Sequence, residues 1–153
     1  MFVPYLRKRS LRWLLRSEKK GVGMMKAFIC LDDKNGMLFN KRRQSKDSVL
    51  NEKVLEIVAN NPLYVSEYTK GLFPNGILTT DFGTVKDGYA FIEDPVHLQQ
   101  MSVDILYIFK WNRHYPSNTR LAINMAYYTK IAEEEFVGSS HEKITLEVYK
   151  NNK

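Results

Sequence analysis

The sequence predicts an α/β protein with a mostly parallel central sheet that closes in a C-terminal antiparallel hairpin. Three observations lead there. Short apolar runs at 27–31, 63–66, 77–80 and 89–92 alternate with turn signals and helical stretches. The segment 104–111 is apolar at both alternating sets of positions, as a strand covered on both faces must be. Beyond it, extended segments follow one another with no helix between them, the pattern of antiparallel strands.

The stretch 26–48 organises the rest. Ala27 to Leu31 is a buried strand, broken by the polar turn Asp32-Asp33-Lys34-Asn35-Gly36, whose glycine is free to take positive φ. A basic loop from Lys41 to Asp47 follows. From Asp47 to Ala59, apolar residues at 49, 50, 54, 55, 57 and 58 recur at helical spacing, with Ser45 or Asp47 available as N-cap. Asn60-Asn61-Pro62 ends that helix. Strands are expected at 63–66, 77–80 and 89–92, with a helical turn at 67–73 between the first two. Asp81-Phe82-Gly83 opens a loop and Lys86-Asp87-Gly88 is a turn. Pro95 suits the first turn of a helix reaching Met101. Segments 120–124 and 127–134 read as extended, and 144–149 as the closing strand.

The 153 residues fit one domain. The net charge of +6 resides wholly in residues 1–23, which hold seven bases against one acid; the remainder holds sixteen of each. The high pI therefore describes an arm, read as a basic flexible extension over 1–24, and not the domain at 25–153. That arm has no signal-peptide pattern, because its apolar run 11–15 is short and interrupted by Arg12. A membrane- or nucleic-acid-binding amphipathic helix is the alternative reading. The single cysteine, Cys30, lies in an apolar run, fits a buried structural thiol and points to a reducing, cytoplasmic compartment. No stretch is long and apolar enough for a transmembrane helix.

The ordered motifs resemble the dihydrofolate reductase family over roughly residues 26–150. ICLDDKNGMLFN is similar to that family's first strand and active-site loop. The EEEF segment and the final LEVYK resemble its closing hairpin. The resemblance implies that family's three-layer fold. It also implies that Asp47 matches the catalytic carboxylate at the start of the first helix. The family's cofactor positions are altered here. Ser66-Glu67 stands for Gly-Arg, Asp81 for a basic residue, and Glu93-Asp94-Pro95 for Gly-Gly. Each change adds an acid or removes a backbone donor where a polyanion would sit, so no NADPH and no other cofactor is expected. A second resemblance is to short bacterial proteins carrying DDKNGMLFN-x-RRQS-x-D, FKWNR-x-YP and GSSHEKIT, some of them named ribonuclease Z. That name implies two-zinc chemistry, which needs a dense histidine and aspartate cluster. The chain offers only His97, His114 and His141, and no metal site is expected.

The candidate site lies between the loops 32–47 and 138–145, at the C-terminal end of the first strand. Asp47 and His141 are its candidate catalytic groups. Asn35, Asn40, Arg42, Arg43, Gln44, Ser139, Ser140 and Lys143 are its candidate ligand-binding residues. Such a donor-rich lining suits an anion or a carbonyl-bearing ligand. Lys46, Arg113 and His114 add to the basic loops, and Phe39, Trp111 and Tyr115 offer stacking surfaces. Solvated loop charges and core aromatics are the competing reading. Ser139 or Ser140 with the following Glu142 or Lys143 also approximates a capping box. Three functions stay open: a small-ligand, nucleotide or partner-binding domain, a ribonuclease using Arg42, Arg43, His141 and Lys143, and a reductase with an atypical cofactor mode. Nothing in the sequence settles the oligomeric state.

Overall fold

The computed structural model describes residues 24–81 and 87–153. The basic extension, and most of the loop opened by Asp81-Phe82-Gly83, lie outside the described residues. The strands are β1 (Met25–Leu31), β2 (Gly36–Phe39), β3 (Arg42–Arg43), β4 (Leu63–Tyr64), β5 (Leu78–Thr79), β6 (Gly88–Phe91), β7 (Ile105–Lys110), β8 (Thr119–Arg120), β9 (Tyr128–Phe136) and β10 (Ile144–Asn151). The helices are α1 (Ser48–Val58) and α2 (Pro95–Leu98), with 3₁₀ turns at Thr69–Leu72 and Met125–Tyr127.

Seven strands form the main sheet in the order β5-β4-β6-β1-β7-β10-β9. β1 pairs in parallel with β6 and β7, and β4 with β5 and β6. β10 runs antiparallel between β7 and β9. This is the mostly parallel sheet with a closing hairpin that the alternating elements require.

The period-2 alternation of β1 sorts its side chains into two cores. Phe28 joins Tyr107, Phe109, Leu146 and the α1 residues Leu50, Val54, Ile57 and Val58 on one face. Ala27, Ile29 and Leu31 join Met37, Leu38, Leu98, Leu106 and Ile108 on the other. The second face is covered by α2 and by a small sheet of order β3-β2-β8, which complete the third layer. Burying each large aliphatic or aromatic side chain contributes about 1.5–3 kcal/mol.

Three local expectations are corrected. The turn after β1 takes its positive φ at Asn35 (62°) and not at Gly36. Gly36 is needed for close approach instead: a Cβ there would lie 2.7 Å from Gln44 Nε2 and from Ser117. The basic loop contains a hairpin, β2–β3, whose turn residues Asn40 and Lys41 both have positive φ (51° and 64°), as a primed two-residue turn demands. Of the extended segment expected at 120–124, only Arg120 is in a strand.

Candidate functional site

Asp47 is the centre of the site. It caps α1, with Oδ1 accepting from Val49 N (3.0 Å) and Leu50 N (3.3 Å). The same oxygen accepts from Ser139 N at 2.9 Å. Oδ2 accepts from Ser140 N at 2.8 Å, and lies 3.2 Å from Ser140 Oγ and 3.0 Å from His141 Nδ1. Burial pushes this carboxyl up, but the N–H groups of Ser139 and Ser140, the His141 ring and Leu50 N outweigh it. The net result holds Asp47 well below the usual carboxylate range.

The late loop returns the contact. Ser139 Oγ accepts from Ser48 N at 2.9 Å, and Ser140 Oγ donates to Lys46 O at 2.9 Å. No helix follows residues 138–143, so the capping box read there is corrected. Ser139 caps a helix all the same, α1, across 91 residues of chain. Gly138 makes this possible, since a Cβ on it would sit 2.3 Å from Asp47 Oδ2.

His141 is only 4% exposed. Its ring stacks on Trp111, with centroids 4.5 Å apart and planes at 22°. Its Nε2 lies 2.8 Å from Tyr115 Oη and 3.3 Å from Ser45 Oγ. Asp47, His141 and two hydroxyls therefore form one chain of hydrogen bonds.

Arg43 does not face the late loop. Its Nε and Nη2 donate to Glu93 Oε2 (2.8 Å) and Oε1 (3.0 Å), and its guanidinium covers the Tyr68 ring at 4.2 Å. Thr69 Oγ1 also donates to Glu93 Oε1 at 2.8 Å. The hydrogen bond to Glu93 raises the Arg43 pKa. Ser45, Lys46, Asp47 and Ser48 make the contacts to the late loop. The Arg43–Glu93 pair lies over a small cavity of about 20 Å³, also lined by Cys30, Ser45, Leu50 and Trp111. That is room for about one water molecule. Burial first, then the Glu93 and Asp47 carboxylates, push the Cys30 thiol well up.

A second, open cleft of about 610 Å³ adjoins it, lined by Phe39, Asn40, Arg42, Arg43, Gln44, Tyr115 and Pro116. Asp32 builds its wall. Oδ1 holds the turn through Lys34 N (2.8 Å) and Gly36 N (2.7 Å). Oδ2 accepts from Gln44 Nε2 (3.1 Å) and Tyr115 N (3.2 Å). Burial raises this carboxyl, but these bonds outweigh it and leave its pKa lowered.

The ten predicted site residues thus divide. Asn40, Arg42, Arg43 and Gln44 line the cleft, while the buried Asp47 and His141 form one network with the exposed Ser139 and Ser140. Asn35 is exposed in the turn. Lys143 pairs with Glu135 at 3.2 Å. Ser45, Asp32 and Glu93 were missed as site builders. A buried aspartate beside a turn was the one available signal, and it does not name its long-range partners.

The acids at the altered cofactor positions have their own partners. Glu93 binds Arg43, Glu67 lies 2.8 Å from Lys70 Nζ, and Asp94 caps α2 through Val96 N. Among the described residues, no cluster of three or more histidine, cysteine or acidic side chains is placed to hold a metal. No described helix is long and apolar enough to cross a membrane.

No family model matches the chain, and no curated protein matches it at a significant level. Among solved structures it is similar to a dihydrofolate reductase from Enterococcus faecalis complexed with NADP(H) and RAB-propyl. The TM-score is 0.57 at 13% identity, over 86% of this chain and 98% of that one. At that identity the likeness is one of fold: the chain has a dihydrofolate reductase-like fold.

Proposed function

We propose that this dihydrofolate reductase-like domain does not use NADPH and binds a small anionic ligand, a nucleotide foremost, in the open cleft. The observation that carries this reading is the cleft's lining. Phe39 and Tyr115 offer aromatic surfaces, and Asn40, Arg42 and Gln44 offer donors, within one space of about 610 Å³. That combination suits a base stacked on an aromatic ring beside a phosphate held by arginine. The Asp47 carboxylate supports the same reading. With both oxygens engaged by α1 and residues 139–141, it has no lone pair turned to a pterin.

The acids at the cofactor positions weigh against NADPH by occupancy more than by free charge. Asp94 already takes the α2 amide that a phosphate would need, and Pro95 has none.

A thermal-shift series with NADPH, folate, mononucleotides and short RNA tests the proposal. A ligand at a hundred times its dissociation constant adds about 2.7 kcal/mol to stability. Mononucleotides should raise the melting temperature, and Arg42→Ala should remove the shift. A rise with NADPH would overturn the cofactor argument. A rise with RNA alone would favour the ribonuclease reading.

A further inference from the structure

We propose that Ser45 is a nucleophile toward small acyl esters, with His141 as its general base and Asp47 as the residue that positions His141. A serine hydroxyl attacks poorly unless a base takes its proton as it attacks. The base here is prepared on both sides. The ionised Asp47 faces Nδ1 at 3.0 Å, which places the proton of the neutral ring on Nδ1. The Nε2 lone pair is then left facing two hydroxyls, Ser45 Oγ at 3.3 Å and Tyr115 Oη at 2.8 Å. Stacking on Trp111 holds the ring plane. The Ser45 distance is loose for a hydrogen bond but within what unliganded nucleophile–base pairs show.

The two cavities supply the substrate class. Ser45 lines the small cavity of about 20 Å³, whose apolar walls include Met37, Leu50 and Trp111. Tyr115 lines the open cleft, and Arg43 and Gln44 line both. The space at Ser45 admits one methyl-sized group, so the acyl group is acetyl with its methyl seated there, and an aromatic or anionic leaving group fits the open cleft.

The step balances. Ser45 Oγ forms a bond to the ester carbonyl carbon, and its proton passes to His141 Nε2. Tyr115 Oη, displaced from Nε2, donates its hydrogen bond to the oxyanion. Collapse breaks the bond to the leaving oxygen, which takes the proton from Nε2. A water molecule then attacks the acyl-serine by the same route and releases the carboxylic acid and free Ser45.

The test is p-nitrophenyl acetate with the full chain, followed by peptide mapping of the acetylated protein. The expected result is catalysed nitrophenolate release with acetyl on Ser45. Ser45→Ala should lose about a hundredfold or more, and His141→Gln a comparable factor. Tyr115→Phe should lose about tenfold or more in kcat with little change in KM. Ser45→Ala should melt with the parent, which separates chemistry from folding, and Ser45→Cys should still acquire acetyl. No release above the solvent rate, an unchanged rate in Ser45→Ala, or acetyl found only on lysines would each overturn the assignment. The nucleotide reading is tested separately, because Ser45→Ala leaves the Phe39 and Arg42 lining of the cleft in place.

Discussion

Two aspartates hold the two halves of the site, and they do so to opposite effect. Asp47 draws together segments more than 90 residues apart, and its side chain is wholly enclosed. Asp32 holds its own turn and also reaches Gln44 and, 83 residues along the chain, Tyr115. Both carboxylates accept at both oxygens, and both have lowered pKa values. The first closes the space between α1 and the late loop. The second leaves a cleft open beside the β2–β3 hairpin. A saturated carboxylate is therefore no guide to whether a ligand site is open; both aspartates tie segments more than 80 residues apart, and what differs is that Asp47 also caps α1.

Removing Asp47 should show the largest effect. Asp47→Ala leaves the α1 N-terminus and the amides of Ser139 and Ser140 without partners, and should cost about 3–5 kcal/mol in a urea melt. A loss no greater than that of Asp32→Ala would break the comparison. The acid limb should follow the same residue. The folded pKa of Asp47 lies below its unfolded value, so its contribution is complete above about pH 4 and declines as pH falls through the folded value. Asp47→Asn should therefore lose less stability than the parent between about pH 4 and pH 2.

Glycines sharpen the contrast at the next level. An alanine Cβ at Gly138 would meet Asp47 Oδ2 at 2.3 Å, against a carboxylate that has nowhere to move. Gly138→Ala should cost about 2–3 kcal/mol by chemical denaturation. At Gly36 the nearest atoms are Gln44 Nε2, which can turn away, and Ser117 Cβ and Oγ, of which Cβ moves only with the backbone of its exposed loop, so Gly36→Ala should cost about 1–2 kcal/mol.

The Arg43–Glu93 pair lies between the two regions and is partly exposed. A double-mutant cycle on Arg43→Ala and Glu93→Ala should give a coupling of about 1–2 kcal/mol, reduced by salt. Lys143→Ala should change stability by less than about 0.5 kcal/mol, because its pair with Glu135 is exposed on both sides. A larger effect would mean that Lys143 acts on the Asp47–His141 network and not on the surface.

The sequence alone determined the elements whose cause is local. The two-sided apolar run of β7, the alternation of β1 and the helical spacing of α1 each follow from side-chain period, and the structure places all three there. Asp47 was legible as an N-cap for the same reason. The β2–β3 hairpin was not, because Asn40-Lys41 lacks the glycine that normally marks a primed turn. Only tertiary structure decided that Ser139 caps α1 rather than a helix of its own, that Arg43 meets Glu93 rather than the late loop, and that His141 faces Ser45 and Tyr115. Those contacts join residues 26 to 96 positions apart. Their geometry depends on strand order and on where each loop leaves the sheet, and the local hydrophobic period carries no information about either.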